Sequence, residues 1–285
     1  MNKKIKKEEI DLRSLINQCL VMIKYSFTNY FRSRRFFVMF LITLIIGIIL
    51  TVFVAYYRPQ SYISSDLSFY SNWWGNSITF IVILSAIFFG GDAISSEFEN
   101  KTGYFILVNP ITRPTVYFGK LIAAILATFI IVSVFAVITI ANAIYYFGSV
   151  NYLFFESFGF SIIYIFAVMG LAFFFSSLFK NNSTSIIVTI ILFLFVFPLI
   201  QTLIASLVGI EPWFIVTYGA QIIGNVFQNP YPAHVSTIVL HSPKGKITYL
   251  HTYNPTIKEG IYIMLSYFVG SALAGLLVFQ KREFN

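Results

Sequence analysis

Six charged residues lie close together between two apolar stretches of this chain. The segment 90–120, "GGDAISSEFENKTGYFILVNPITRPTVYFGK", contains Asp92, Glu97, Glu99, Lys101, Arg113 and Lys120. Charges at this spacing can form the ion pairs that fix the register of a protein interface. They can equally belong to an ordinary loop whose charges only face water. The elements on either side of the segment, and the order of its residues, decide between these two interpretations.

The sequence contains none of the common signatures of catalysis. A phosphate loop requires G-x-x-x-x-G-K-[ST], and ahead of the Gly-Lys pair of "VYFGK" Pro114 occupies the place of the first glycine. Neither a G-x-S-x-G turn nor an H-E-x-x-H helix is present. The histidines His234, His241 and His251 are spaced by seven and ten residues, which matches no standard metal site. We predict that the chain is not an enzyme and holds no metal or cofactor of its own.

The composition is that of an integral membrane protein. Hydrophobic residues make up 58% of the chain and charged residues 11%, whereas soluble domains carry about 25% charged residues. A helix needs about 20 apolar residues to cross a bilayer. Six stretches qualify: 36–57, 73–91, 120–147, 158–179, 184–209 and 260–280. We expect Trp73 and Trp74 to anchor the second span at the membrane interface. The prediction is one all-α membrane domain over residues 1–285.

The basic residues predict the orientation of the six spans. An even number of spans places both termini on one side, and cytoplasmic segments are enriched in Lys and Arg. With the termini inside, 15 of the 19 basic residues are cytoplasmic, namely Lys3, Lys4, Lys6, Lys7, Arg13, Lys24, Arg32, Arg34, Arg35, Lys101, Arg113, Lys120, Lys180, Lys281 and Arg282. We predict a multi-pass plasma-membrane protein with cytoplasmic N- and C-termini. This topology explains the basic charge without a nucleic-acid partner.

An amphipathic helix is predicted ahead of the first span, within residues 1–35. Apolar residues recur in steps of three and four at Leu12, Leu15, Ile16, Cys19, Ile23, Phe27, Tyr30 and Phe31. We expect this helix to lie on the inner membrane surface, because "RSRRFF" leads directly into the bilayer. The alternative is a soluble helix that precedes a membrane anchor.

The interiors of the predicted spans contain no Asp, Glu, Lys, Arg or His. Carriers driven by an ion gradient usually keep such a residue inside the membrane, where it is costly and functional. Its absence weakens the hypothesis of an ion-coupled carrier or channel. Pro198 in the fifth span frees the carbonyl of Leu194 and is expected to kink the helix. The kink serves either packing or gating.

The charged segment also contains the signals of a short helix. Ser96 and Glu99 have the spacing of a capping box, which predicts a helix from residue 97 to about residue 108. Its acidic residues fall in the first turn, where the helix dipole favours them. The dipeptide Asn-Pro at 109–110 ends the helix. Pro114 suits the first position of the following helix, which becomes the third span.

The order of these residues resembles the signature of ABC-2-type permeases, the membrane-spanning subunits of ABC transporters. The matching residues are Asp92, Glu97, Glu99, Lys101-Thr102, Pro110-Ile111-Thr112-Arg113 and Gly119-Lys120. The family pattern is an acidic pair, a Gly or Lys with Thr, Pro-[Val/Ile]-[Ser/Thr]-Arg, and Gly-Lys opening the third span. Two positions depart from it, because Lys101 stands where many members have Gly and Phe98 where a basic residue is common. The six spans with a surface helix ahead of them are also similar to the family.

The resemblance implies a dimer with a second copy or a paralogue, embedded in membrane lipid. It also implies that each permease docks on a separate ATPase subunit, which would bind the ATP and Mg²⁺. The implied coupling residues, within the cytoplasmic loop 92–115, are Asp92, Glu97, Phe98, Glu99, Lys101, Thr102, Pro110, Arg113 and Lys120. An amphipathic helix suits docking, because its apolar side fills a cleft and its charges fix the register. We expect Glu97 and Glu99 to face the ATPase, and Arg113 and Lys120 to hold the helix to the third span.

The outer segment, residues 210–259, is too long for a simple turn. The stretch "PWFIVTYGAQIIGNVF" has apolar residues in helical steps but is interrupted by Gly219 and Gly224, which fits a re-entrant or interfacial helix. In "HVSTIVLHSPKGKITYLHTY", two β-branched and aromatic runs flank a Pro-Lys-Gly turn, which predicts a β-hairpin. The alternative is a disordered outer loop.

These features together predict the permease subunit of an ATP-driven exporter. The aromatic, uncharged spans favour an amphipathic or lipid-like compound as the substrate. The alternatives are an ion-coupled carrier or channel, and a membrane scaffold that transports nothing.

Overall fold

The computed structural model describes residues 2–99, 112–241 and 247–282. In these residues, six helices are long and apolar enough to cross a membrane. They are Arg34–Tyr57, Asp66–Glu99, Arg113–Phe147, Tyr152–Leu178, Asn182–Ser206 and Ile257–Lys281, and we call them spans one to six. They confirm the predicted helical fold with six candidate spans. Span three begins at Arg113 rather than near Lys120, because Pro114 lies in its first turn as expected.

Contacts at the two ends of the bundle show that neighbouring spans run in opposite directions. Arg35 at the start of span one meets Asp92 in the last part of span two. At the opposite end, Asp66 at the start of span two accepts a hydrogen bond of 2.7 Å from Asn151, just ahead of span four. We call the first end inner and the second end outer, after the orientation that the sequence predicts.

Span two forms the centre of the bundle, with 72% of its most apolar window buried against 22% for span one. Its parts are the helix Asp66–Tyr70, the π-helical turn Ser71–Gly75, the helix Asn76–Gly90 and the short helix Ser95–Glu99, and the one-turn helix Gln60–Ile63 precedes it. Because span two begins at Asp66, Trp73 and Trp74 lie inside the bundle and are fully buried. The prediction that they anchor the membrane interface is therefore wrong. The Trp74 indole instead donates to Ser157 Oγ of span four at 3.0 Å.

The N-terminal helix, Asn2–Arg32, packs along span three. Gly119 of span three permits this approach, because a Cβ at that position would lie 2.6 Å from Cγ of Met22. Other apolar side chains of the helix are exposed, including Leu20, Val21 and Tyr25. Their exposure supports contact with the inner membrane surface, which stays a prediction.

Span five contains two π-helical turns. Its α-helical parts are Asn182–Ile191 and Phe197–Leu203, and its π-helical turns are Leu192–Val196 and Ile204–Val208. The backbone N–H of Phe197 donates to the carbonyl of Leu192, five residues back, which is the π-helical pattern. Pro198 follows directly, so the helix changes its hydrogen-bond register beside the proline. The gating role of Pro198 stays a prediction.

The segment between spans five and six folds onto the outer end of the bundle. It contains two short helices, Val216–Ala220 and Ile222–Asn225, which bury most of their side chains. Gly219 lies against Gly260 of span six, so closely that a Cβ on Gly260 would be 2.9 Å from the Gly219 carbonyl oxygen. The outer helices are therefore packed onto protein. Their re-entrant character stays a prediction.

A two-stranded antiparallel sheet follows these helices. Strands Val235–His241 and Ile247–Tyr253 pair with Val235 opposite Tyr253 and His241 opposite Ile247. The structure therefore has a two-stranded sheet where the sequence predicts a β-hairpin, and the hairpin itself stays a prediction. Its Pro243-Lys244-Gly245 turn lies outside the described residues.

Candidate coupling site at the inner end

The first contact of the site joins spans one and two. Arg35 Nη1 lies 2.5 Å from Asp92 Oδ2, and the Asp92 side chain is 6% exposed while that of Arg35 is 48% exposed. Burial, together with the charge of Asp92, raises the pKa of the Tyr30 phenol above its usual value. Tyr30 therefore stays protonated, and Arg35 supplies the charge that balances Asp92.

Glu97 forms the second contact, with Lys120 of span three. The two side chains are paired and are only 11% and 13% exposed. Lys120 also donates to the carbonyl of Ala93 at 2.9 Å. The expectation that Lys120 holds this segment to span three is confirmed. The expectation that Glu97 faces outward to a partner is not met within the described chain, because the carboxylate is buried against Lys120.

The helix Ser95–Glu99, which we call the inner helix, does not begin with the predicted capping box. Glu99 Oε2 instead accepts from the backbone N–H of Asn182 at 2.6 Å, and the Ser96 hydroxyl lies 3.5 Å from the Ala93 carbonyl. Asn182 is the first residue of span five. A carboxylate there satisfies an unpaired helical N–H and is favoured by the helix dipole. Glu99 therefore caps span five rather than its own helix.

Serine side chains fix the start of the inner helix to span four. The backbone N–H groups of Ile94 and Ser95 both donate to Ser176 Oγ, at 2.9 and 3.0 Å. Ser95 Oγ in turn donates to Asn182 Oδ1 at 2.9 Å. These groups are buried or half-buried, so each hydrogen bond also removes the cost of an unpaired polar group.

Phe98 connects the inner helix to the end of span six. Its ring lies 6.0 Å from the ring of Phe279, edge to face. The guanidinium of Arg282 lies 4.3 Å from the centroid of the Phe98 ring, which is the geometry of a cation–π contact. Arg282 also donates to the carbonyls of Ser177 and Phe179 at the end of span four, at 2.7 and 2.9 Å.

Arg113 joins the start of span three to the end of span six. It donates to the carbonyls of Phe279, Gln280 and Arg282, at 3.2, 2.7 and 2.8 Å. These are among the last carbonyls of a helix, which have no partner inside the helix. The sequence correctly predicts that Arg113 pairs within the chain, but the hydrogen bonds described here go to the end of span six and not to the inner helix.

The structure thus brings most of the predicted coupling residues together at the inner end. They are Asp92, Glu97, Phe98, Glu99, Arg113 and Lys120. Lys101, Thr102 and Pro110 lie outside the described residues, as does most of the helix predicted to reach residue 108. Sequence reasoning missed the partners Ser176 and Asn182. It considered Arg35 and Arg282 only as topology signals.

A cavity of about 450 Å³ lies in the outer half of the bundle. Its apolar lining comes from spans two and five, with Phe80, Ile83, Phe193 and Leu194. Much of its polar lining comes from the outer segment, with Gln221, Asn225, Gln228 and Asn254. Among the described residues, none donates a hydrogen bond to Oε1 of Gln221, which is buried. The lining therefore combines apolar side chains with several amides, and Pro198 belongs to it.

Six long apolar helices, whose inner ends meet around the inner helix, are typical of a multi-pass membrane protein. The profile of the family described as "ABC-2 family transporter protein" matches residues 20–284. Because the match covers nearly the whole chain, the chain belongs to this family, and the resemblance seen in the loop residues is confirmed. No curated protein matches the chain. The chain is a permease of an ABC transporter, of a kind that functions with an ABC ATPase subunit and is not normally catalytic itself.

Proposed function

We propose that this permease exports an amphipathic or lipid-like compound across the plasma membrane. A separate ATPase docks on the loop 92–115 and drives the movement. The observation that carries this proposal is the set of contacts made by the end of span two. Those contacts are Asp92 with span one, Glu97 with span three, Ser95 with span four, Glu99 with span five and Phe98 with span six.

Through these contacts, a movement of the docked loop can be transmitted to the other spans. Energetic coupling between distant sites needs packed or hydrogen-bonded elements that move together. A displacement of the loop would reach the other five spans through the inner helix. In this proposal Glu97 positions the inner helix, and Lys101, Thr102 and Pro110 contact the ATPase directly.

The docking proposal is tested by placing the photo-crosslinking amino acid p-benzoylphenylalanine at Lys101 of the full chain in native membranes. We expect irradiation to give an adduct with a protein that contains a phosphate loop and hydrolyses ATP. The matched control is Tyr262, which is 68% exposed near the outer end of span six. Equal labelling of the ATPase from both positions, or none from Lys101 in a complex that retains the ATPase, would show that it docks elsewhere.

The assembly that we propose contains two permease chains. Span five has only 11% of its most apolar window buried, and Phe195, Leu199 and Leu203 form an exposed row at steps of four. Such a row lies on one helix face. It supports contact with a second copy or a paralogue, beside the cavity that span five also lines.

The cavity supports an amphipathic substrate. An apolar chain can lie against Phe80 and Phe193, while an uncharged or zwitterionic head group hydrogen-bonds to the amides. Pockets of this kind combine an apolar lining with a few polar groups that fix the orientation of the ligand.

We expect Gln221→Met to weaken the response to an amphipathic substrate, because the variant keeps the side-chain volume and removes one amide. A net hydrogen bond contributes about 0.5–1.5 kcal/mol, which corresponds to roughly a two- to tenfold change in affinity. The measurement is stimulation of ATPase activity in the purified complex by a lysophospholipid, with glycerophosphocholine as the probe that lacks an acyl chain. Gln280→Met, an exposed change at the inner end, is the control. If Gln221→Met needs the same lysophospholipid concentration for half-maximal stimulation as the unaltered chain, the cavity does not bind the substrate as proposed.

A further inference from the structure

Three ionisable side chains meet at the outer end, and each comes from a different part of the chain. Glu211 follows span five, His234 precedes the first hairpin strand, and Glu259 lies in the first turn of span six. His234 Nε2 is 3.4 Å from Glu211 Oε2, and His234 Nδ1 is 3.8 Å from Glu259 Oε2. One ligand atom from each residue lies within 4.8 Å of the others.

The imidazole of His234 is oriented as it is in metal sites. Its Nδ1 lies 2.9 Å from the carbonyl oxygen of Asn254. A carbonyl only accepts hydrogen bonds, so Nδ1 carries the proton and Nε2 keeps a lone pair on the side of Glu211. Histidines that bind metals commonly donate their other ring N–H to a backbone carbonyl in this way, which fixes the tautomer and the ring orientation.

Both carboxylates are held by hydrogen bonds from their own segments. The Tyr218 hydroxyl donates to Glu211 Oε1 at 2.8 Å, and the backbone N–H of Thr256 donates to Glu259 Oε2 at 2.8 Å. The Glu211 carboxylate is thereby held with Oε2 beside His234 Nε2, whereas the half-exposed Glu259 side chain still has to turn toward that nitrogen.

The charge of the cluster is not balanced by other described residues. Among the ion pairs of residues 2–99, 112–241 and 247–282, neither Glu211 nor Glu259 pairs with a lysine or an arginine. Two carboxylates this close repel each other when both are ionised. A divalent cation between them would remove that repulsion.

We propose that Glu211, His234 and Glu259 form a binding site for a divalent transition-metal ion of the Zn²⁺ type on the outer face. Zinc binds imidazole nitrogen and carboxylate oxygen at about 2.0–2.2 Å, so tetrahedral ligand atoms lie about 3.3–3.6 Å apart. The distance between His234 Nε2 and Glu211 Oε2 already has this value. Rotation of the half-exposed Glu259 side chain brings in the third ligand, and water supplies the fourth.

The bound ion would connect the end of span five, the base of the hairpin and the start of span six. The sequence argues against a metal site only through the spacing of its three histidines. The structure removes that objection, because the ligands beside His234 are two glutamates, Glu211 and Glu259, and not the other histidines. His251 lies in the second hairpin strand and is available as a control.

The test uses the purified full chain in detergent and measures Zn²⁺ binding by competition with a chromophoric zinc indicator. We expect one Zn²⁺ per chain and a thermal unfolding midpoint that rises with Zn²⁺ and falls when a chelator is added. Glu211→Gln, His234→Gln and Glu259→Gln should each weaken Zn²⁺ binding at least tenfold. Glu259→Gln keeps a side-chain oxygen that can accept from the Thr256 N–H, so the start of span six is preserved.

Two matched controls separate the site from incidental binding. His251→Gln removes another histidine of the outer segment, and Glu156→Gln removes an exposed carboxylate at the outer end of span four. Both should bind Zn²⁺ as the unaltered chain does. The proposal is overturned if the unaltered chain binds no Zn²⁺, or if the three ligand variants bind it with unchanged affinity and stoichiometry.

Discussion

Glu97→Lys is expected to yield little folded permease. The substitution places two ammonium groups together where Glu97 and Lys120 now pair with only 11% and 13% of their side chains exposed. Removing one partner of a buried ion pair costs about 3–5 kcal/mol, a large part of the roughly 5–15 kcal/mol that stabilises a typical folded protein. The measurements are the yield of monodisperse protein in detergent and the midpoint of thermal unfolding.

The exchange variant Glu97→Lys with Lys120→Glu separates this pair from a general effect of charge. It restores opposite charges at the same two positions, and we expect it to recover most of the yield that Glu97→Lys loses. Glu156→Lys reverses an exposed charge at the outer end and should change the unfolding midpoint little, because surface substitutions stay within about 0.5 kcal/mol. If Glu97→Lys unfolds at the same temperature as the unaltered chain, the pair does not hold the inner helix.

Gly260→Ala is expected to destabilise the docking of the outer segment on span six. The new Cβ would lie 2.5 Å from Cγ2 of Ile222 and 2.9 Å from the backbone oxygen of Gly219. Because the second contact is to backbone, the outer helices must shift. Overpacking of this kind costs about 1–3 kcal/mol. The expected result is a lower unfolding midpoint and faster proteolytic cleavage of the segment between spans five and six.

Gly270→Ala is the matched control for this variant. Gly270 lies in the same helix, and a Cβ there would have no neighbour within 4 Å. Alanine has a higher helix propensity than glycine, so the control should be neutral or slightly stabilising. Equal effects of the two variants would mean that the helix, and not the contact with Gly219, determines the result.

The number of spans could be predicted from the sequence, because each apolar stretch is long enough to cross a bilayer. The limits of span two could not be predicted in the same way. Residues 66–72 are largely polar and aromatic, and their helix is stabilised by contacts such as that of Asp66 with Asn151, 85 residues away. Trp73 and Trp74 are therefore core residues, although their position beside an apolar stretch is typical of an interface.

The family signature identified most residues of the inner site, but it did not predict which partners Glu97 and Glu99 contact. Ser96 and Glu99 have the spacing of a capping box, and sequence reasoning sees only local partners for a carboxylate. In the folded chain Asn182 brings an unpaired helical N–H to Glu99, which accepts from it. In the same way, Glu97 is charged and next to a loop, so exposure is the natural prediction. Glu97 is buried because it pairs with Lys120 of span three, which lies 23 residues further along the chain.

The contacts of the inner helix have a consequence for permease engineering. If the ATPase docks on the loop 92–115 as we propose, transplanting this loop from a relative is the simplest way to give the permease a different ATPase. The graft would arrive without the side chains that receive it, because Arg35, Asn182 and Arg282 belong to the recipient scaffold. Chimeras should therefore be designed with these three positions exchanged together with the loop. Under the same proposal, grafts that keep the recipient's residues at these positions would bind a different ATPase without passing its movement to the spans.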